Sequence, residues 1–546
     1  MTDLSPDPLI DPTTFDLIVV GTGLAESIIA AAASAAGKTV LHLDPNPYYG
    51  GHFATLPLHD LASFLNSASV PSPPSPPSAT DDALDYVSVD LQTRSLYSDV
   101  EISSYAPEVL QEHSRKFNID LAGPRVLFCA DKCIDAVLKA GVNQYLEFKS
   151  IDASYFWDEN GKLVNVPGSR AAIFKDKSLS LTEKNQLMRF FKLVQQHLLP
   201  AEDNENSKIS QEDLDSPFVE FLNKLRLPQK MKSIILYAIS LADYDQNDTE
   251  VCKKKLLTKE GIDRLALYHT SIGRFQNAQG ALLYPLYGQG ELSQAFCRRA
   301  AVKGCLYVLR MPVVALLKDK SNEHYKGVRL ASGQDIFSHQ LVLDPCFMVP
   351  RQLNLSLESL QDVSLRDANY KVARGIYITK HSLVSDVKNC LLVYPPKALF
   401  PEQVSSVRVL QIGGNLAVCP EDMFVIYIST LCANANQGKE MVRAAINAII
   451  SLFASECSDA SSVDQNININ AEEKGSCLLW SASYIQESSA GQFGPVSFSP
   501  MPDGNLNYDD LMNATFELFQ KMYPNEEFFP KTTSTAVHQD DDGEES

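Results

Sequence analysis

The stretch VGTGLAES, residues 20–27, constrains the fold of this chain more than any other feature of its sequence. It follows the short apolar run FDLIVV, which is rich in β-branched residues, and it opens the run LAESIIAAAASAAG, which is rich in good helix formers. The order is a strand, a tight turn that contains Gly21 and Gly23, and a helix that ends at Gly37. This pattern is typical of the start of a dinucleotide-binding βαβ unit.

A second apolar run, TVLHL at residues 39–43, ends at Asp44, which lies 23 residues after Gly21. Near this offset, an acidic side chain binds the ribose of a dinucleotide in units that hold one. Asp44 has a second interpretation, because aspartate before the sequence PNP is ordinary turn chemistry. Both interpretations place a turn at the end of a second strand.

Glu26 occupies the position at which the fingerprint requires a third glycine. That glycine lets the helix pack closely on the strand and lets a pyrophosphate reach the amide donors at the helix N-terminus. A glutamate there stabilises the helix, because its negative charge complements the helix dipole, but the same charge repels a phosphate. The motif fits either a cofactor enzyme with an altered loop or a fold that has lost its cofactor. In the second case Gly21, Gly23, Glu26 and Asp44 are vestigial.

Charge and cysteine usage narrow the class of partner. The chain has 546 residues, a formal net charge of −20 and a pI near 5.0, which argues against nucleic acid or anionic lipid as its main partner.

Its 11 cysteines lack the paired spacing of a zinc site, which indicates a reduced, intracellular protein without a metal. The acidic N-terminal sequence resembles no signal peptide. We therefore predict a cytoplasmic protein.

Composition shifts divide the chain into predicted units. Residues 63–85, rich in Pro and Ser, predict a flexible insertion, and the acidic residues 531–546 predict a disordered tail. Residues 166–274 predict a helical domain, and one of its helices has an apolar face formed by Leu187, Phe190, Phe191 and Val194. Residues 1–165 and 275–530 then form one discontinuous α/β domain. The predicted fold is an FAD/NAD(P)-binding-like domain with an all-helical insertion.

Catalytic motifs are missing from the sequence. It contains no G-x-S-x-G, H-E-x-x-H or P-loop pattern. The late glycines in QIGGNLAV and GQFGPVSF do not follow a strand that opens onto a second phosphate-binding helix, as a flavin site would need. We therefore predict a binding protein without catalytic residues, cofactor or metal. An FAD-dependent oxidoreductase, which would be yellow when purified, is the enzyme alternative.

Four stretches together resemble the superfamily of Rab escort proteins and Rab GDP-dissociation inhibitors. They are IVVGTGLAESI, VLHLDPNPYYGG, VNQYLEFKSI and RFQNAQGALLYPLYGQGELSQAFCRRAAVKGCLYVLR. The resemblance implies a flavoprotein-like fold that carries a GxGxxE motif and binds no flavin. It favours the hypothesis of a lost cofactor site.

Within this superfamily the chain resembles the escort proteins more than the inhibitors. The Pro-rich insertion, the segment VPGSRAAIFKDKSLSLTEKNQLMRFF and the ending MYPNEEFFP carry that resemblance. It implies partners in GDP-bound Rab GTPases, the geranylgeranyltransferase heterodimer and the geranylgeranyl groups of Rab, with transient membrane contact. A GDP-dissociation inhibitor, which recycles Rabs without binding the transferase, and a purely structural scaffold remain alternatives.

The resemblance also implies a Rab-binding platform. It matches Tyr49, Glu291 and Arg298, with Leu306 and Val308 as weaker matches on the next strand. Glu291 and Arg298 are seven residues apart, so a helix presents both on one face. Taken alone, Glu291 fits a helix-start residue, Arg298 a solvated surface charge and Tyr49 a turn aromatic.

Two further sets of residues are implied by the same resemblance. The transferase contact falls on Phe174 and on Asn185, where the animal and fungal pattern has arginine, so Asn185 lacks a fixed cation. The patch that holds the Rab C-terminal tail falls on Cys133, Ile134, Val137 and Leu138. Their spacing makes one helical stripe, and a stripe of this kind is more often part of a core than a binding site.

Overall fold

The computed structural model describes most of the chain. The described residues are 9–68, 85–167, 180–198, 209–248, 255–278, 280–321, 324–349, 358–359, 370–457 and 477–530. Among them, no helix combines the length and apolar character needed to span a bilayer.

The strands, in chain order, are β1 (Thr14–Val20), β2 (Val40–Asp44), β3 (Thr55–Leu56), β4 (Tyr86–Asp90), β5 (Gln92–Thr93), β6 (Tyr97–Ser104), β7 (Ile119–Asp120), β8 (Leu127–Phe128), β9 (Phe148–Ser150), β10 (Ala153–Trp157), β11 (Leu163–Asn165), β12 (Leu282–Pro285), β13 (Leu306–Leu309), β14 (Val313–Asp319), β15 (Tyr325–Leu330), β16 (Asp335–Leu343), β17 (Phe347–Met348), β18 (Glu358–Ser359), β19 (Lys371–Thr379), β20 (Cys390–Tyr394), β21 (Val407–Gly413), β22 (Phe424–Cys432), β23 (Leu478–Glu487), β24 (Gln492–Phe493) and β25 (Val496–Phe498).

The helices, in chain order, are α1 (Leu24–Ala35), α2 (Leu58–Ala68), α3 (Pro107–Glu112), α4 (Lys132–Ala140), α5 (Leu181–Leu198), α6 (Gln211–Asp215), α7 (Phe218–Lys224), α8 (Gln229–Ser233), α9 (Thr258–Ser271), α10 (Gly290–Val302), α11 (Ala435–Cys457) and α12 (Asp509–Met522).

The first sheet contains the predicted strand–turn–helix unit. Its strands run in the order β13-β2-β1-β16-β15-β14-β4, and β1 is parallel to both β2 and β16. Helices α1, α4, α10 and α12 share one apolar core on one face of this sheet. Helix α1 is rich in alanine and entirely buried except at its C-terminal end, so α10 can approach it closely. The predicted α/β fold class is confirmed.

The second sheet has the order β11-β10-β20-β21-β22-β19-β23-β6. Helix α11 packs on one face of it. The helical segment packs on the other face, where residues of α5, α7 and the π-helical turn Ile234–Ile239 join the core. The described residues between 180 and 278 form helices and turns but no strand of either sheet. Because both faces are covered, β19 to β22 are almost continuously buried.

Helix α5 has the predicted apolar face, since Leu187, Phe190 and Val194 are buried and Phe191 is partly buried. The first six residues of the insertion predicted at 63–85 belong to helix α2. Helix α2 continues to Ala68, because Leu61 and Leu65 lie four residues apart and bury one face of it in the core. Residues 69–84 and the predicted tail 531–546 lie outside the described residues.

Candidate functional site

Glu26 fills the space above the glycine loop. Gly21 has a φ of +102°, and Gly23 directly precedes α1. A Cβ atom placed on Gly23 would lie only 2.5 Å from Oε2 of Glu26. The side chain therefore folds back over its own helix N-terminus, where the pyrophosphate of a dinucleotide would otherwise lie.

The Glu26 carboxyl group is buried, with 3% of the residue exposed. Its Oε1 accepts a hydrogen bond of 2.5 Å from the Ser499 hydroxyl, while no partner in the described chain bonds its Oε2. Burial, followed by the nearby Asp344 carboxylate, raises the pKa of Glu26 from 4.5 to about 7. A residue from the C-terminal part of the chain thus helps hold the side chain over the loop.

The carboxylate oxygens of Asp44 accept hydrogen bonds from the glycine loop and from the turn after β2. Its Oδ2 accepts hydrogen bonds from the Thr22 amide at 2.8 Å and the Thr22 hydroxyl at 2.6 Å. Its Oδ1 accepts one from the Asn46 amide at 2.7 Å, which is the turn interaction that the sequence also allowed. The carboxylate therefore stabilises the turn between β2 and the following loop.

A cavity of about 200 Å³ remains beside this loop and is lined in part by Asp44, His52, Tyr97 and Asp344. His52 Nε2 lies 3.2 Å from Asp344 Oδ1. An FAD pyrophosphate against the glycine loop would meet the carboxyl groups of Glu26 and Asp344, which lie 2.5 Å and 3.3 Å from Cβ atoms placed on Gly23 and Gly21. The residues present do not fit such a group. No cluster of His, Cys, Asp or Glu in the described residues could hold a metal ion.

The turn that leads into α10 positions the residues predicted for the Rab-binding platform. Gly288 has a φ of +108°, and a Cβ on Gly288 or Gly290 would lie 2.6–2.7 Å from atoms of Thr55. The Thr55 hydroxyl accepts a hydrogen bond of 2.7 Å from the Gly290 amide and donates one of 2.6 Å to Asp120. The buried Asp120 also accepts from the Gln289 amide at 2.9 Å. These bonds fix the start of α10.

Helix α10 presents Glu291 and Arg298 on its outer side, where Glu291 is half-buried and Arg298 exposed. Glu291 Oε1 accepts a hydrogen bond of 3.1 Å from Gln294 Nε2, and burial raises the pKa of Glu291. The Arg298 guanidinium lies 4.5 Å from the centre of the Tyr145 ring. Both charged groups are thus held in place and remain accessible to a partner.

Tyr49 and the two predicted residues of β13 lie on opposite faces of that strand. The Tyr49 ring packs edge-on against Tyr307, 6.1 Å between centres. Leu306 and Val308 alternate with Tyr307 and therefore point to the other face of β13. Val308 packs there against a separate core, and Leu306 is exposed. A surface containing all five predicted residues would have to wrap around the edge strand β13.

Comparisons with known proteins identify the relatives of this fold. The family model described as GDP dissociation inhibitor matches residues 11–91 and 82–474. The chain is 57% identical to Rab escort protein 1 of Arabidopsis thaliana over 98% of its own length and 97% of that protein. The chain belongs to the GDP dissociation inhibitor family, among its Rab escort proteins.

Other members of the family are more distant. The chain is 26% identical to the Drosophila melanogaster protein named Rab proteins geranylgeranyltransferase component A, over 95% of this chain and 90% of that protein. The crystal structure of Rab GDI from Plasmodium falciparum superposes with a TM-score of 0.64 at 19% identity, covering 94% of this chain and 99% of that one. At that identity the likeness shows the fold of the family.

A more distant likeness concerns the fold alone. An oxidoreductase from Methanosarcina mazei matches with a TM-score of 0.50 at 10% identity, covering 92% of this chain and 100% of that one. The fold of this chain is therefore similar to that of this oxidoreductase, in agreement with the fold that the strand–turn–helix motif predicted. In this member of the family, the loop carries Glu26.

The stripe predicted on α4 is mostly core. Cys133, Ile134 and Val137 are buried beneath α1, α10 and α12, whereas Leu138 is 45% exposed. For Cys133, Ile134 and Val137 the structure therefore shows the core alternative that the spacing of the stripe allowed. On α4 only Leu138 of the four predicted residues is available to a Rab tail.

The predicted transferase contacts lie at the edge of the described chain. Asn185 is exposed on α5. Phe174 lies outside the described residues.

Sequence reasoning missed several supporting residues. Asp344 ends the apolar run LVLD, as Asp44 ends VLHLD, so this repeated pattern could have identified it. Ser499, Thr55 and Asp120 carry no comparable signal, because each acts on residues far away in the chain.

Proposed function

We propose that this chain is an escort protein that binds newly made, GDP-bound Rab GTPases and presents their C-terminal cysteines to the geranylgeranyltransferase. It then carries the lipidated product through the cytosol to a membrane. The 57% identity to an escort protein over nearly the whole chain is the observation that supports this proposal most strongly. The alternative function is that of a Rab GDP-dissociation inhibitor.

The escort makes and breaks no bond. The zinc and the isoprenoid chemistry belong to the transferase, and this chain contributes binding, orientation and shielding. The lipid on the prenylated Rab has to be shielded from water. At about 0.8 kcal/mol per buried CH₂, a twenty-carbon chain contributes on the order of 10 kcal/mol to membrane insertion or aggregation.

Recognition of the GTPase takes place on the platform formed by Tyr49, Glu291 and Arg298, with Leu306 and Val308 at its edge. The carboxylate and the guanidinium recognise backbone and side chains of the switch loops by charge-assisted hydrogen bonds. Preference for GDP follows because the γ-phosphate of GTP holds those loops in a different conformation. Phe174 and Asn185 dock the transferase, and Leu138 contacts the Rab tail.

Reconstituted prenylation tests this function. Purified Rab, transferase and lipid donor are incubated with and without the chain, and lipid on Rab is measured. We expect transfer that depends on the chain, and at limiting concentration at least a tenfold loss for Arg298→Ala. Tyr105→Ala, at an exposed tyrosine directly after β6, is the control and should be fully active.

Two other outcomes would contradict the escort function. A chain that extracts prenylated Rab from membranes but does not support prenylation is an inhibitor. A chain that binds no Rab GTPase in either nucleotide state is neither an escort protein nor an inhibitor.

A further inference from the structure

Tyr287 is an exposed aromatic residue in a backbone conformation that suits glycine. It lies in the turn directly before α10, has a φ of +69° and is 52% exposed. A bulky residue in the left-handed region is strained relative to glycine. Such a cost persists where the surrounding structure or a function requires the side chain.

Phe529 shows how the fold can offset this cost. It also has a positive φ, +56°, but only 2% of it is exposed. Its ring packs against Phe296 and Phe528 in the core beneath the first sheet. Burial of an aromatic ring stabilises the fold by more than the strain.

Tyr287 has no comparable compensation within the described part of the chain. Its hydroxyl forms no hydrogen bond there, and its ring has no aromatic or cationic neighbour. Only its backbone is held, because its amide donates a hydrogen bond of 2.9 Å to the Leu416 carbonyl. Gly288 and Gly290 on the inner side of the turn pack against Thr55. The turn is therefore rigid and directs an unpaired ring outward.

We propose that Tyr287 is an anchor of the Rab-binding platform and inserts its ring into an apolar depression on the GTPase. The proposal rests on the function proposed above. Tyr287 lies four residues before Glu291, and the helix carries Arg298 about 10 Å further along its axis. The Tyr287 ring thus extends the platform beyond Glu291, on the side away from Arg298. Rigid tyrosines are frequent hot spots because they bury large area at little entropic cost.

The test measures the affinity of the purified chain for a GDP-loaded Rab together with its thermal unfolding. We expect Tyr287→Ala to weaken binding at least tenfold, while Tyr287→Phe stays within about threefold of wild type. Tyr287→Gly should lose binding equally and unfold at the same or a higher temperature, because glycine adopts the positive φ without strain. Tyr105→Ala is the control for loss of an exposed tyrosine.

The outcomes separate this inference from the function on which it rests. If the wild-type chain binds no Rab, the proposed function fails. If the wild type binds and Arg298→Ala weakens binding but Tyr287→Ala and Tyr287→Gly do not, only the Tyr287 anchor is wrong. Equal losses in Tyr287→Ala and Tyr105→Ala would also overturn it.

Discussion

Glu26 shows how one side chain can change what a loop binds. In the first turn of α1, its carboxyl group faces the glycine loop, accepts a hydrogen bond from Ser499 and lies near Asp344. Negative charge at this position is compatible with the helix dipole and incompatible with a phosphate. The loop therefore remains as a structural turn that connects β1 to α1.

The charge on Glu26 makes the stability of the protein depend on pH. Burial raises its pKa to about 7, so between 4.5 and 7 the folded state holds a proton that the unfolded state has released. The free energy of unfolding consequently falls as the pH rises through this window. We expect Glu26→Gln to raise the free energy of unfolding by about 1–3 kcal/mol at pH 8, and by less at pH 5.5.

Denaturant unfolding at the two pH values measures this difference. Glu108→Gln, in the first turn of α3, is the matched control at an exposed glutamate. It should change the free energy of unfolding by the same amount at both pH values. A gain from Glu26→Gln that is equal at pH 5.5 and pH 8 would contradict the expectation.

Among the structural elements, the turn before α10 depends on side chains from elsewhere in the chain. Thr55 from β3 and Asp120 from β7 bind the amides of Gly290 and Gln289. The Tyr284 hydroxyl from β12 donates to the same carboxylate. Burial raises the pKa of Asp120 to about 6, although these donors favour its charged form. The start of α10, and with it the position of the proposed platform, therefore depends on a small buried polar network.

Removing the acceptor should loosen this element. Asp120→Ala leaves three donors without a partner, and we expect a loss of about 2–4 kcal/mol in the free energy of unfolding. Amide hydrogen exchange at Gln289 and Gly290 should accelerate, and Rab binding should weaken although Asp120 itself is buried.

Asp158→Ala is the control for this substitution. Asp158 also accepts two backbone hydrogen bonds, from Asn160 and Lys162, in the hairpin between β10 and β11. Its loss should leave Rab binding unchanged. If Asp120→Ala unfolds more easily yet binds Rab as the wild type does, Asp120 does not position the platform.

On the scale of the whole molecule, buried arginines join segments that are distant in sequence. Arg408 on β21 is almost completely buried. It donates hydrogen bonds to the Leu241 carbonyl and the Asp243 carboxylate of the helical segment, and to the Gly504 carbonyl. One guanidinium thus connects the helical segment, the second sheet and the loop that precedes α12.

Breaking this connection should destabilise the molecule strongly. Arg408→Met removes the buried ion pair with Asp243 and the hydrogen bonds to two carbonyl groups, and we expect a loss of about 3–5 kcal/mol in the free energy of unfolding. Lys388→Met removes the exposed ion pair with Glu421 and should cost at most about 1 kcal/mol. Denaturant unfolding compares the two, and equal losses would show that Arg408 does not hold the segments together.

Local sequence patterns predicted several features correctly. The strand, turn and helix at residues 15–35 follow from β-branched residues, two glycines and helix formers that are neighbours in the chain. The apolar face of α5 follows from a 3.6-residue period. Even the absence of the third glycine indicated where the flavoprotein pattern is interrupted. These features depend on short-range periodicity and backbone preference, which sequence expresses directly.

Tertiary structure decided which residues are accessible. The stripe on α4 has the same spacing whether it faces a core or a partner, and only the helices packed over it place Cys133 in the interior and leave Leu138 exposed. Likewise, Ser499 reaches Glu26 across 473 residues, and Asp120 reaches Gln289 across 169. Burial and hydrogen bonding between distant segments depend on how the sheets and helices assemble, so no local pattern specifies them.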